Sequence, residues 1–254
     1  MLFAVDVGNT NLTLGVFREN TLAGHWRLKT DPAQTVDGWG VLFRNLLSLA
    51  ELSFAEIDGI IFSSVVPTLD WSVAEMAKRY FNQSALQVDS TVETGMKILF
   101  ENPKEVGADR IVNSVAALAA YGGPVVAVDF GTAVTFDAVS AAGEYLGGVI
   151  CPGVGVASEA LFRRTARLPQ IELAKPATVI GRSTVAGLQS GLYYGTLGLI
   201  DGVLDRLVAD LGDETKVVAT GGQSSVLGPA SRRIQHVNEH LTLDGLRLVW
   251  ERNC

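Results

Sequence analysis

Residues 3–17 (FAVDVGNTNLTLGVF) and residues 126–139 (VAVDFGTAVTFDAV) share one pattern. Each is an apolar strand ending in Asp-x-Gly, then a short polar turn, then a second strand. Asp6 aligns with Asp129 and Gly8 with Gly131, about half the chain apart. A third strand follows in each copy, LAGHWRL (22–28) and GEYLGGVI (143–150). A chain that repeats three strands around two matched turns is constrained to fold as two similar domains.

Beyond the repeat, both halves alternate helix and strand. In the first, apolar spacing predicts a helix over 35–51, a strand over 57–66, a helix over 69–81, a short strand over 85–89 and a helix over 106–120. The run DGIIFSSVV is continuously apolar, as expected of a strand covered on both faces. The second half predicts helices over 153–166 and 183–211, a strand over 216–220, a helix over 222–230, a strand over 234–237 and a last helix over 242–253. The expectation is an α/β chain of two duplicated domains, residues 1–121 and 122–254. Each is a mixed sheet flanked by helices, with a hinge near Gly122–Pro124 and a cleft between the domains.

Composition narrows the function. The net charge is −7, with no basic stripe, which argues against nucleic-acid binding. No apolar run reaches the roughly 20 residues that span a bilayer, so no membrane role is expected. The opening MLFAVDVGNT has no basic region and meets Asp6 at once, which suits a buried strand better than a signal peptide. The two cysteines, Cys151 and Cys254, are far apart, and no Cys/His spacing suggests zinc. A reduced, cytoplasmic setting fits.

The repeated turn carries the chemistry. Glycine permits a tight turn and lets a ligand approach the backbone. Small polar neighbours (Asn9, Thr10 and Asn11 in one copy, Thr132 and Ala133 in the other) leave room and add hydrogen-bonding groups. Successive turn amides form an anion nest. An aspartate ending the strand before it, Asp6, can hold Mg²⁺ directly or through water beside bound phosphates. A third glycine site, ATGGQSS (219–225), follows the apolar strand KVVAT, and its Gly221-Gly222 pair suits nucleotide contact at the carboxyl end of a sheet. These three elements, in this order, resemble the phosphate-1, phosphate-2 and adenosine loops of the actin-like (ribonuclease H-like) superfamily of sugar kinases, actin and Hsp70.

The segment FENPKEVGADRIVNSVAALAA (100–120) runs from a Pro/Gly-punctuated loop into a helix. Asp109 and Arg110 fall in its first turn. Two readings of the pair stand side by side. Asp109 is a helix cap with Arg110 as a surface charge, or Asp109 accepts a hydroxyl proton while Arg110 binds a carboxylate in a bidentate fork.

Taken together, DVGNTN, ENPKEVGADR, DFGTAVTFD, YLGGVICPG, TARLP, GRSTVAGLQSGLYYG and TGG are similar to the type III pantothenate kinase family over nearly the whole chain. The resemblance implies ATP-dependent phosphorylation of pantothenate to 4′-phosphopantothenate, the first step toward coenzyme A. Asp109 would be the general base. Phe100, Gly107, Ala108, Asp109 and Arg110 would line the pantothenate site, with Phe100 standing where the family often has Tyr and so lacking its hydroxyl. ATP would be bound by Asp6, Val7, Gly8, Asn9, Thr10, Asn11, Leu12 and Thr13, by Thr132, and by Gly221 and Gly222. Mg²⁺ would accompany ATP near Asp6, and a monovalent cation, K⁺ or NH₄⁺, would sit at Asp129. Thr184 would reach the partner's site in a homodimer, so the long helix of residues 183–211 reads as a subunit seam, with a buried internal helix as the alternative. The competing reading is an actin-like ATP-binding regulatory or assembly protein with no small-molecule acceptor.

Overall fold

Strand β1 (Leu2–Val7) is buried at every position except the fifth of its six, where half-buried Asp6 interrupts the apolar run. It lies between β2 (Asn11–Arg18), to which it pairs antiparallel, and β4 (Gly59–Ser64), to which it pairs in parallel. With β3 (Thr21–Lys29) and β5 (Leu86–Gln87) the strand order is β3-β2-β1-β4-β5. The computed structural model describes residues 1–89 and 91–254.

The second copy repeats this plan. β7 (Val125–Phe130) pairs antiparallel with β8 (Ala133–Val139), which pairs antiparallel with β9 (Glu144–Pro152). On its other side β7 pairs in parallel with β10 (Lys216–Gly221), which pairs with β11 (His236–Val237). The order β9-β8-β7-β10-β11 matches that of the first sheet strand for strand. The register is also the same: Asp6 lies opposite Thr13, and Asp129 opposite Thr135. The repeat in the sequence is therefore a repeat of topology. A further two-residue strand, β6 (Lys97–Ile98), has no periodicity long enough to be read from sequence.

Local chemistry sets the helix ends. α1 (Val36–Leu49) starts where the Thr35 hydroxyl accepts the Gly38 amide. α2 (Pro67–Phe81) has Pro67 in its first turn and stops at Asn82, in the left-handed region at φ 53°. α3 spans Ala108–Tyr121 and α4 spans Val154–Arg164. The 28-residue α5 (Thr184–Leu211) is capped by Ser183, and α6 (Ser224–Leu227) is a single turn. α7 (Leu241–Asn253) ends the chain. Among the described residues no helix is long and apolar enough to cross a membrane.

The chain divides into Met1–Ala116 with Leu241–Cys254, and Ala117–His240. This corrects the sequence-based boundaries on two points. The division falls inside α3 rather than after residue 121. The last helix, expected to complete the second half, belongs to the first: α7 packs on β1, β2 and β4. Its amphipathic stripe (Leu241, Leu243, Leu246, Val249) says that it covers a sheet but not which one.

In the first unit Phe3, Phe43 and Phe81 form the aromatic centre, Phe3 meeting Phe43 edge-on at 5.3 Å and stacking on Phe81 at 5.7 Å. In the second unit α5 buries Tyr193, Leu197, Ile200, Leu204 and Val208, one stripe at helical spacing. One face of α5 is thus core of its own unit, while the other is exposed at Val185, Gly191, Tyr194, Gly195 and Gly198. Leu246 is fully buried, so Leu246→Ala leaves a cavity in the first unit. We expect urea denaturation to show a loss of about 2–5 kcal/mol. A loss below about 1 kcal/mol would mean that α7 is a loose appendage.

Candidate active site

The first bend is built by β1 and β2. After Val7 pairs with Leu12 the chain turns through Gly8, Asn9 and Thr10 to Asn11, and the Gly8 amide donates to the Asn11 carbonyl at 3.1 Å. Asn9 and Thr10 are exposed, while Gly8, Asn11 and Thr13 are half-buried and Leu12 is in the core. Asp6 has a neighbour that the sequence reading missed. Ser63, fully buried and opposite Asp6 on β4, donates its hydroxyl to Asp6 Oδ1 at 2.7 Å. Thr30, also missed, donates its hydroxyl to the Gly8 carbonyl at 2.6 Å and its amide to the Thr10 carbonyl at 2.9 Å. Small hydroxyl residues at the ends of β3 and β4 were the available signal.

Asp109 stands at the second residue of α3, as the sequence predicts. Its Oδ1 accepts the Arg110 amide at 2.8 Å. A Cβ added to Gly107 would lie 2.6 Å from that oxygen and 3.6 Å from Val65 Cγ1, so glycine is needed for the carboxylate to fold back over the loop. The Val65 amide in turn donates to the Val7 carbonyl at 3.0 Å, immediately before the bend. Asp109 Oδ1 and Val65 Cγ1 thus both border the space that a side chain at Gly107 would fill, and Val65 directly follows β4, the parallel neighbour of β1, all within the first unit. Burial pushes the Asp109 carboxyl up from the ordinary aspartate value, against the lowering pull of the Arg110 amide and the Arg110 charge. Arg110 is 8% exposed, not the surface charge that the capping reading required. Ala108 is buried and Phe100 half-buried, whereas residues 101–105 are exposed.

The second bend is tighter. Phe130 pairs with Val134, and Gly131 and Thr132 are exposed between them. The Gly131 amide donates to the Ala133 carbonyl at 3.0 Å, and the Gly153 amide to the Thr132 carbonyl at 3.1 Å. Gly153 caps the amino terminus of α4, so a helix start abuts the turn. Gly221 adopts φ +88°, and a Cβ there would lie 2.3 Å from Asp129 Oδ1. Only glycine lets β10 end against the Asp129 carboxylate, while the Gly222 amide donates to the Phe130 carbonyl at 3.1 Å. The TGG motif and the DFGT motif, remote in sequence, are one structure.

Beside Gly222 opens a cavity of about 380 Å³, walled by Val154, Ile171, Leu173, Leu192 and Val226 and bordered by Gln223. The Gln223 Oε1 is buried and has no partner among the described residues. Thr184 is exposed at the first turn of α5, in the second unit. No group of three or more His, Cys, Asp or Glu able to hold a metal occurs among the described residues. Mg²⁺ characteristically takes one or two carboxylates and completes its shell with water and substrate phosphate, so Asp6 fits an ion that arrives with a nucleotide.

The sequence profile of the type III pantothenate kinase family matches residues 2–206. A type III pantothenate kinase of Koribacter versatilis is 55% identical, with 100% of this chain and 96% of the relative covered. One of Solibacter usitatus is 52% identical, with 100% and 97% covered. Among solved structures, the ethanolamine utilization protein EutJ of Carboxydothermus hydrogenoformans superposes with a TM-score of 0.56 at 13% identity, covering 97% of this chain and 89% of that one, which speaks to fold alone. The full-length relatives favour the kinase over an assembly protein without an acceptor.

The raised Asp109 value has a consequence for stability. A carboxyl whose folded-state pKa exceeds its unfolded value binds its proton more tightly in the fold, so its ionisation costs stability as pH rises through the folded value. Asp109→Asn keeps an oxygen for the Arg110 amide and removes the charge. It should unfold at higher urea than the parent at pH 7, with the gap closing as pH falls toward about 4. Equal midpoints at pH 7 would rule out burial as the dominant influence on this group.

Proposed function

The chain belongs to the type III pantothenate kinase family, and on that premise we propose which of its residues carry the reaction. The enzyme transfers a phosphoryl group from ATP to the primary hydroxyl of pantothenate, giving 4′-phosphopantothenate, the first step toward coenzyme A. Phosphoryl transfer has a loose transition state, so a kinase contributes mainly positioning and charge neutralisation.

The observation that carries the assignment of roles lies in the first unit: the Asp109 carboxylate folds back over Gly107 at the start of α3 and is desolvated there, directly after the exposed loop of residues 101–105. Asp109 is the general base. It orients the pantothenate hydroxyl and takes its proton as the bond to phosphorus forms. Its desolvated setting raises its proton affinity, which suits that task. Arg110 holds the pantothenate carboxylate, and Gly107, Ala108 and Phe100 shape the site, Phe100 through packing alone.

Residues Asp6 to Thr13 bind ATP phosphates through bend amides and small polar side chains, and Asp6 faces the Mg²⁺ that enters with ATP. Bound Mg²⁺ supplies neutralisation of phosphate charge. Thr132 contacts ATP, and Asp129, pressed against Gly221, holds a monovalent cation, K⁺ or NH₄⁺. Gly221 and Gly222 border the nucleoside, whose base and ribose fill the neighbouring apolar cavity. The unpartnered Gln223 Oε1 there calls for a donor from the ligand.

Thr184 acts across a homodimer. Support comes from the surface of the second unit, where Ile150 (63% exposed), Val179 (63%) and Ile180 (80%) accompany Phe162, Val185 and Tyr194. The Ser190 hydroxyl donates to the Val179 carbonyl and so ties that segment to the start of α5. A homodimer interface over this face would cover them, since exposed apolar side chains gathered into one patch mark an interaction surface. The enzyme is active in the cytoplasm.

The deciding experiment is pantothenate-dependent ADP release, with the product identified by mass. Asp109→Asn should lower kcat by at least about 100-fold while MgATP still binds. Near-normal turnover would remove the base assignment. Asp129→Asn should abolish stimulation by K⁺ or NH₄⁺ at constant ionic strength; a variant still stimulated as the parent is would move the cation elsewhere. Light scattering should give twice the chain mass, and a monomer that is fully active would end the cross-subunit role of Thr184.

A further inference from the structure

The first bend contains two carbonyls that would face any phosphate unfavourably if they turned toward it. Both are engaged by one residue. Thr30, one position past β3 and 6% exposed, gives its hydroxyl to the Gly8 carbonyl at 2.6 Å and its amide to the Thr10 carbonyl at 2.9 Å.

The geometry of the peptide unit turns this into a directional statement. A trans peptide is planar, and the carbonyl of one residue points opposite to the amide of the next. Tying the Gly8 carbonyl to Thr30 therefore directs the Asn9 amide away from Thr30. Tying the Thr10 carbonyl there does the same for the Asn11 amide. The remaining bond of the bend, from the Gly8 amide to the Asn11 carbonyl at 3.1 Å, fixes the turn's width. A row of backbone donors held on one side of a bend, with its carbonyls drawn to the other, is an anion nest.

We propose that Thr30 is a positioning residue for nucleotide phosphate: by holding the Gly8 and Thr10 carbonyls on one side, it keeps the Asn9 and Asn11 amides aimed at the phosphate chain of ATP. This rests on the reading of the Asp6–Thr13 bend as a phosphate site. Thr30 itself touches no reacting atom. It acts through the backbone, so its loss loosens the grip on MgATP and leaves the pantothenate side intact. The hydroxyl is the informative group, because the Thr30 amide survives every substitution except proline.

The test is steady-state kinetics on the full-length enzyme with Thr30→Val and Thr30→Ser. Thr30→Val keeps the branched shape and loses the hydroxyl. We expect its KM for MgATP to rise about tenfold, the size of one lost hydrogen bond at about 1.4 kcal/mol per decade. Its KM for pantothenate should stay within about twofold. Thr30→Ser, which restores the hydroxyl, should return the MgATP KM to within about threefold of the parent. Should Thr30→Val not accumulate as folded protein, Thr30→Ala removes the hydroxyl with neither γ-methyl in its place. A lower melting temperature with unchanged MgATP KM in the hydroxyl-free variant would overturn the proposal and leave Thr30 a purely structural residue. Asp6→Asn separates the two levels. If it raises the MgATP KM while Thr30→Val does not, only the role of Thr30 falls. If neither moves it, the bend is not the phosphate site and both readings fall.

Discussion

The Val65 amide donating to the Val7 carbonyl closes the parallel pair of β1 and β4 at its carboxyl end. Two consequences follow from that one bond. It fixes where β1 releases the chain into the Gly8 bend. It also places Val65, whose Cγ1 would lie 3.6 Å from a Cβ at Gly107, the residue just before α3. Parallel strands must be joined by crossovers, so their carboxyl ends gather on one edge, where ligands bind in α/β sheets. A bend that can hold phosphate and a carboxylate that can take a hydroxyl proton are thereby brought to the same edge of one unit.

The second unit reaches a similar bend by different means. Its strand order and register repeat those of the first. Yet where Thr30 and Ser63 secure the first bend and its aspartate with side-chain hydroxyls, the second is secured mostly by backbone amides. Gly153 takes the Thr132 carbonyl, Gly222 takes the Phe130 carbonyl, and Gly221 leaves its Cβ position open to Asp129. Hydroxyls tolerate a looser, four-residue turn. Backbone-to-backbone contact demands glycine on both sides and a tighter one. One duplicated scaffold thus shapes two bends, and a buried hydroxyl residue stands opposite the aspartate in each, Ser63 opposite Asp6 and Thr220 opposite Asp129.

Much of this was legible in the sequence because its signals are local. Asp-x-Gly between apolar strands and the helical runs of α1, α2 and α5 are each set by neighbours a few residues apart. The placement of Asp109 in the first turn of α3 was legible for the same reason. What was not legible is tertiary. α7 shows an apolar stripe, but a stripe does not name the sheet it will cover, and chain order suggested the wrong one. Gly221 was read as a nucleotide contact, but its close approach to Asp129, 2.3 Å from the missing Cβ to Oδ1, joins segments remote in sequence and gave no signal there. Thr30 and Ser63 are single hydroxyls with no motif around them, and only their partners reveal a role.

The Asp109 site balances two opposed influences, and the balance bears on chemistry. A helix first turn and an adjacent amide stabilise a carboxylate, which weakens it as a base. Burial works the other way and prevails, so the group holds a proton more readily than an exposed aspartate would. Burial without the Arg110 amide would raise its proton affinity further. Full exposure would leave it ionised but a poor proton acceptor. Glycine at 107 permits both influences at once, because it lets the carboxylate fold back far enough to lose water while its Oδ1 still accepts the amide at 2.8 Å. Any side chain at position 107 would force that oxygen out and shift the balance toward a weaker base, whether or not it touched the substrate.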